Sequence, residues 1–363
     1  QISEMKRRHQ FLAFALLLQI PLFAYPILRL CQWLRMDSVQ TAAVFLPLFF
    51  SQIVARLYLQ HASHGPMFWL RRGADLWLGI SPLLLCMLVA TELPVALGWI
   101  AEYTAAQALV CLAFALTAYS VFNAYSPSVV EIKLSSTKVT STLRFAQITD
   151  VHIGSRTSAF LSRVMQKVNR LDIDFLCITG DFIDATGVSE QALSALRSCR
   201  VPMYFSIGNH ERYEDLDAIL QRLNRLGVSV LRSRTTTHGE VQLIGIDDAD
   251  NPSQVQRELA TLDIDPKRFV LLLYHRPRGL RAAAEAGVDL MISGHTHNGQ
   301  IVPFNFVVGR VFKKTVGLFQ EGMTRLYVSP GTGTWGPVMR LGSRGEVTLF
   351  EIRPLTQSIN VAP

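Results

Sequence analysis

Cysteine is scarce and scattered. Five thiols in 363 residues stand at Cys31, Cys86, Cys111, Cys177 and Cys199. An odd count without Cys-x-x-Cys spacing argues against both a disulfide framework and a thiolate zinc site. The better role for such residues is as small apolar fillers. Charge is sparse in one place only: residues 1–125 hold eight Lys/Arg and five Asp/Glu, against 27 and 23 in the remaining 238. The net charge of +7 is shared between the two parts, and no Lys/Arg run with interleaved aromatics occurs. Nucleic acid is therefore not an expected partner.

The charge-poor part is made of apolar runs. Residues 11–28 carry no charge and are long enough to span a bilayer as a helix. Further spans are expected at 41–55, 76–90 and 105–122, giving about four within 1–125. Glu92 is expected to close the third span, since Pro94 follows. Trp33, Trp69, Trp77 and Trp99 lie near span ends, as interfacial anchors would. With the N-terminus inside, Lys6, Arg7, Arg8, Arg56, Arg71, Arg72, Lys133 and Lys138 share one side, and only Arg29 and Arg35 the other. That bias puts the N-terminus and, with an even number of spans, the second part in the cytoplasm. An integral protein of a bacterial inner membrane is the expectation.

Ser126-Pro127-Ser128 and Ser135-Ser136-Thr137 bracket a linker, 126–143, in which 129–134 alternates as a strand would. From 144 to 363, strand and helix patterns alternate. Strands are expected at 144–149, 175–179, 203–207, 241–246, 269–274, 290–293, 325–329 and 346–352. Helices are expected at 160–171, 190–196, 216–226, 254–262 and 280–286. This is the pattern of an α/β fold, a sheet with helices on its faces.

Metal-ligand residue types recur where these strands stop. Asp150 and His152 follow the first strand, Asp181 and Asp184 the second, and Asn209 and His210 the third. His275 ends a later strand, and His295 and His297 follow the next. Residues i and i+2 of an extended segment point the same way, so His295 and His297 suit one site at the carboxyl edge of a sheet, where α/β proteins bind ligands. His9, His61, His64 and His238 lie elsewhere and read as surface groups. Carboxylates, an amide carbonyl and imidazoles together suit manganese, iron or zinc. Two such ions can share a carboxylate, activate water and screen phosphoryl oxygens.

Over 140–353 this arrangement resembles the calcineurin-like metallophosphoesterase superfamily. The motifs are Asp150-x-His152, Gly180-Asp181-x-x-Asp184, Gly208-Asn209-His210-Glu211, His275 and Gly294-His295-Thr296-His297. The resemblance implies a sandwich of two β-sheets flanked by helices, here preceded by an α-helical transmembrane bundle. It implies two divalent metal ions, manganese first. One would take Asp150, His152, Asp181 and His297, the other Asp181, Asn209, His275 and His295, with Asp181 bridging. It further implies that His210 protonates the leaving oxygen while Asp184 orients its imidazole. His297-Asn298-Gly299-Gln300-Ile301, Tyr327-Val328-Ser329-x-Gly331-x-Gly333 and Arg340 look like the membrane-linked branch. Asn298 stands where glycine is usual, and Asn tolerates positive φ. Ala185, where some protein phosphatases carry arginine, argues against a phosphoprotein substrate. Arg156, Arg276, Asn298 and Arg340 are the candidate substrate contacts. The implied activity is hydrolysis of a phosphodiester or pyrophosphate bond in a membrane lipid or lipid-linked phosphate, with UDP-2,3-diacylglucosamine of lipid A synthesis as the leading specific substrate. The alternatives are a phosphodiesterase or phosphatase for soluble nucleotides with the spans as a simple anchor, and a non-catalytic metal-binding membrane signalling protein.

Overall fold

A run too poor in charge to stay in water satisfies its backbone groups within itself, as a helix. The computed structural model describes residues 18–59 and 65–355, in two units that divide between Phe122 and Asn123, with Gly336–Leu341 belonging to the first.

In the first unit, three helices among the described residues are long and apolar enough to cross a membrane: Ser38–Tyr58, Gly65–Ala96 and Glu102–Tyr125. They contain the expected spans at 41–55, 76–90 and 105–122. Of the span expected at 11–28, residues 11–17 lie outside the described residues, as do His9, His61 and His64. The remainder belongs to a helical stretch that includes Ile20–Ala24 and Tyr25–Trp33. Asp37 starts Ser38–Tyr58 with a capping box, accepting from the Val39 and Gln40 amides at 2.9 and 2.8 Å, while Gln40 accepts from the Asp37 amide. Glu92 does not close its helix, which runs on to Ala96. Its carboxylate meets Arg29 in two contacts of 2.6 Å and accepts from the Tyr25 hydroxyl. A paired carboxylate is tolerated among apolar residues where a lone one is not. Trp33 is no interfacial anchor either: it is fully buried, packed with Leu84, Leu88 and Ala106.

Among the described residues the second unit holds twelve strands: β1 (Ser128–Ser136), β2 (Leu143–Ile148), β3 (Phe175–Thr179), β4 (Met203–Ser206), β5 (Val228–Val230), β6 (Arg234–His238), β7 (Val241–Gly245), β8 (Phe269–Leu273), β9 (Leu290–Ser293), β10 (Gly317–Glu321), β11 (Thr324–Val328) and β12 (Glu346–Pro354). They form two six-stranded sheets, ordered β1-β12-β2-β3-β4-β5 and β10-β11-β9-β8-β7-β6. The stretch 126–143 is more than a linker, because β1 pairs in parallel with β12 from Ser128 opposite Glu346 to Ser136 opposite Pro354.

Period-two alternation sorts each inner strand between two cores. Phe145, Phe175 and Cys177 face the sandwich interior, against Leu271, Leu273 and Ile292 of the other sheet. Phe145 stacks between Phe175 and Phe350, at 5.0 and 4.8 Å between centroids. The intervening Ala146, Ile148, Leu176 and Ile178 face outward onto helices Ser158–Val168 and Leu216–Arg225. Val270 and Leu272 do the same under Gln254–Leu259 and Leu280–Glu285. Burial on both faces explains the unbroken apolar runs of these strands. Because β2, β3 and β4 are mutually parallel, and β7, β8 and β9 likewise, the carboxyl ends within each set share one sheet edge.

Candidate metal centre

Both strand edges deliver side chains to one place. Gln147 joins the sheets, donating to the Ser293 carbonyl at 3.1 Å and to the Thr179 hydroxyl at 2.7 Å. Beyond the strand ends the backbone turns sharply: Asp150, His152, Asp181, His295, His297 and Asn298 all have φ between 48° and 74°. Left-handed backbone at six non-glycine residues is costly, and such strain gathers at functional sites. Asn298 thus adopts the conformation for which asparagine is suited.

Space is equally tight. A Cβ on Gly208 would overlap the Asp181 carboxylate, and one on Gly294 would overlap Asp150 and Thr149. Glu211, fully buried, ties the loops together. Its two oxygens accept from the amides of Asp181, Phe182, Ile183 and Gly208 at 2.7–3.0 Å. Burial and the nearby Asp181 push its carboxyl up to about 7.

The expected ligands come together in two groups, Asp150 with His152 and His297, and Asp181 with His275 and His295. In the first, Nε2 of His152 and Nε2 of His297 face each other at 3.1 Å. In the second, Nε2 of His275 faces Nδ1 of His295 at 3.2 Å and an Asp181 oxygen at 3.0 Å. His275 Nδ1–H donates to the Thr179 carbonyl at 2.8 Å, which leaves Nε2 to point inward, as an outer partner does for a ligating imidazole. Asp150 accepts from the His295 amide at 3.0 Å and the Thr149 hydroxyl at 2.8 Å. Asn209 Oδ1 is buried without a hydrogen-bond donor among the described residues. Facing imidazole nitrogens, buried carboxylates and an orphaned amide oxygen are what a divalent cation would satisfy. The donors fit the implied metals.

The electrostatics match a site short of positive charge. Burial alone would lower His275, yet Asp181 and Asp150 push it up to about 10. Burial likewise opposes ionised Asp181, but His275 and His152 hold its carboxyl well below the usual range. Burial raises the Asp150 carboxyl and Asp181 adds to it, against the opposing pull of His275 and His152. His295 is pulled down to about 3 by burial and by charged His275.

His210 stands at the rim, its side chain 20% exposed and its Nε2 4.0 Å from Asp181. Burial holds its imidazole below the ordinary value. Asp184 lies in one group with His152 and His210, their ligand atoms within 4.8 Å of one another, and its carboxylate meets Nδ1 of His152 at 3.2 Å.

Three of the four candidate substrate contacts are buried arginines. Arg276 is buried and ion-paired with Asp248 at 2.6 Å and Asp250 at 2.7 Å, a cluster that Arg212 joins. Arg156 lies over the Phe160 and Tyr125 rings at 3.8 and 4.4 Å and donates to the Ala124 carbonyl. Arg340 falls in Gly336–Leu341, where its amide donates to the Ser120 carbonyl. Asn298 follows His297 in the ligand loop, and its amide donates to the Thr296 hydroxyl. His238, expected at the surface, meets the Tyr204 hydroxyl at 3.1 Å and packs on Phe175. Glu211 and Asp248 went unassigned in the sequence. The signal for Glu211 was its place in the Gly208-Asn209-His210-Glu211 motif; Asp248 follows β7 with no motif of its own.

The chain is similar to known proteins. The calcineurin-like phosphoesterase family matches residues 143–299. An uncharacterized metallophosphoesterase of Helicobacter pylori strain J99 is 30% identical over 245 residues, 64% of this chain and 65% of its own length. The chain therefore spans less than two thirds of that relative. A Danio rerio transmembrane protein with metallophosphoesterase domain is 30% identical over 264 residues, 64% of this chain and 59% of its own. An Aquifex aeolicus uncharacterized metallophosphoesterase is 31% identical over 256 residues, 67% of this chain and 98% of its own length. With near-complete coverage of that relative and the ligands gathered as above, the chain belongs to the calcineurin-like metallophosphoesterases.

Proposed function

We propose that this chain hydrolyses a phosphodiester or pyrophosphate bond of a lipid-borne substrate with two divalent cations, manganese first. The observation that carries the hydrolytic half is the pair of inward-facing imidazole couples, at 3.1 and 3.2 Å, set among Asp150, Asp181 and the orphaned Asn209 oxygen. Asp150, His152, Asp181 and His297 would hold one ion, and Asp181, Asn209, His275 and His295 the other. Bound there, the pair would supply an activated water and screen the phosphoryl oxygens. The chain's own part is positional. Asp184 fixes the His152 ring, Thr179 fixes the His275 ring, and Glu211 holds the Asp181 and Asn209 loops at one spacing. His210, half-buried beside the cluster, would carry a proton to the leaving oxygen, and its lowered basicity favours giving that proton up.

Three helices fit to span a bilayer support the lipid half, being more than a tether needs. With an even number of spans, the Lys/Arg bias supports a cytoplasmic catalytic part. The test is turnover by the purified full chain with manganese. Release of UMP from UDP-2,3-diacylglucosamine is the expected result. Hydrolysis of aryl phosphodiesters without any lipid-linked phosphate would overturn the lipid half, and full activity of Asp181→Ala would overturn the two-metal half.

A further inference from the structure

Helix Phe304–Val311, in the catalytic unit, buries none of its residues. Phe304, Phe306, Val307 and Val311 are 42–66% exposed. A helix on a water-facing surface turns its polar face outward; this one presents apolar side chains. Several exposed apolar side chains on one short helix mark an interaction surface. Its charge narrows the partner. Arg310, Lys313 and Lys314 flank it, and no acidic residue occurs between Asp289 and Glu321. Apolar groups beside a cluster of cations complement an anionic lipid surface. Among the described residues, three helices are long and apolar enough to cross a bilayer, so a bilayer is within the chain's reach.

We propose that the Phe304–Val311 helix lies in the headgroup layer of an anionic bilayer and holds the mouth of the metal centre against it. The helix is coupled to the ligand loop by contact. Phe312 packs edge-on against the His295 ring at 5.4 Å, the Thr296 hydroxyl donates to the Thr315 carbonyl, and Gly299 has no room for a Cβ against Asn305. Trp335, 58% exposed, stands 6.2 Å from the His210 ring. Gln300 holds its backbone from both sides, which gives the same rim an interfacial aromatic. The inference rests on the lipid-borne reading for its purpose, but the contact is read without turnover, so either can fail alone.

The test uses the full chain in phosphatidylcholine–phosphatidylglycerol nanodiscs. Photoreactive p-benzoylphenylalanine replaces Phe306 or, as control, Arg281, whose side chain is 84% exposed. After irradiation, adducts are identified by mass spectrometry, and metal content confirms the fold of each variant. Lipid adducts at 306 and none at 281 are expected. Lys313→Gln should lower the yield at 306 by about fivefold, the contribution of one cation near an anionic surface. Adducts from 306 to this chain's own peptides or to a second copy, or a lipid yield no higher than at 281, would overturn the proposal. A yield indifferent to Lys313→Gln would overturn its anionic part.

Discussion

The Asp184 carboxylate lies 3.2 Å from Nδ1 of His152, with both side chains buried. It is fixed there by the Ser155 amide at 2.8 Å. Burial alone would make His152 less basic, and Asp184 reverses this. Asp184 therefore positions a metal-ligand imidazole. Asp184→Asn should weaken metal binding about 10–100-fold, as loss of an outer partner does. Excess manganese should then restore turnover. Titration of activity against metal checks this: a deficit that no metal concentration repairs would return Asp184 to His210.

His210 is placed to act without ligating. Its ring nitrogen stays 4.0 Å from Asp181, while its amide donates to the same carboxylate at 2.9 Å. That backbone bond survives a change of side chain. His210→Asn should leave metal content at the wild-type level and depress kcat by about 10²–10⁴. An unchanged kcat would remove the proton-donating role, and lost metal would recast His210 as a ligand.

Glu211 is the structural counterpart. Four amides converge on its two oxygens, and glutamine offers an acceptor to only two of them while turning a donor on the others. Leaving buried donors unmet costs about 1–3 kcal/mol. For a unit of this size that is about 2–4 °C of Tm per kcal/mol. Calorimetry of Glu211→Gln should therefore show a clear fall in Tm. Metal loss should accompany it, since Asp181 and Asn209 flank the four amides.

Which strands were legible follows from where they lie. β2, β3, β4, β7, β8 and β9 are buried on both faces, and their apolar runs gave bounds within a residue or two. β5, β6 and β10 are sheet edges and were missed. β6 reads Arg-Thr-Thr-Thr-His, half-exposed, with no apolar face to alternate, and β5 is three residues long. The metal ligands were legible because each follows a buried strand, so one pattern located both. The arginines were not. A guanidinium near a ligand motif reads the same whether it awaits phosphate or is held by Asp248 and Asp250, and those carboxylates lie some 26–28 residues away in the chain. Asp184 stands within 4.8 Å of both His152 and His210, and sequence order alone does not show which imidazole it meets more closely.

Metal binding should release a proton, because the metal-free site keeps one where a cation belongs. Asp181 and Asp150 raise His275 to about 10 against the effect of burial, while His295 opposite it is neutral, pulled down to about 3. The Nδ1–H of His275 is engaged by Thr179, so the proton that must leave is on Nε2, the atom a metal would need. The sign follows from the raised value. Below about pH 10 the imidazole is charged, each unit of rising pH makes that proton easier to lose by about 1.4 kcal/mol, and apparent metal affinity should climb about tenfold per unit before levelling off. Calorimetric titration of manganese into chelator-stripped chain, repeated in buffers of different ionisation enthalpy, reads the proton count directly. About one proton should appear at pH 7.5 from this group, and His275→Ala should abolish it. A binding enthalpy independent of buffer would mean that the cation enters without displacing this proton, and His275 would leave the ligand set.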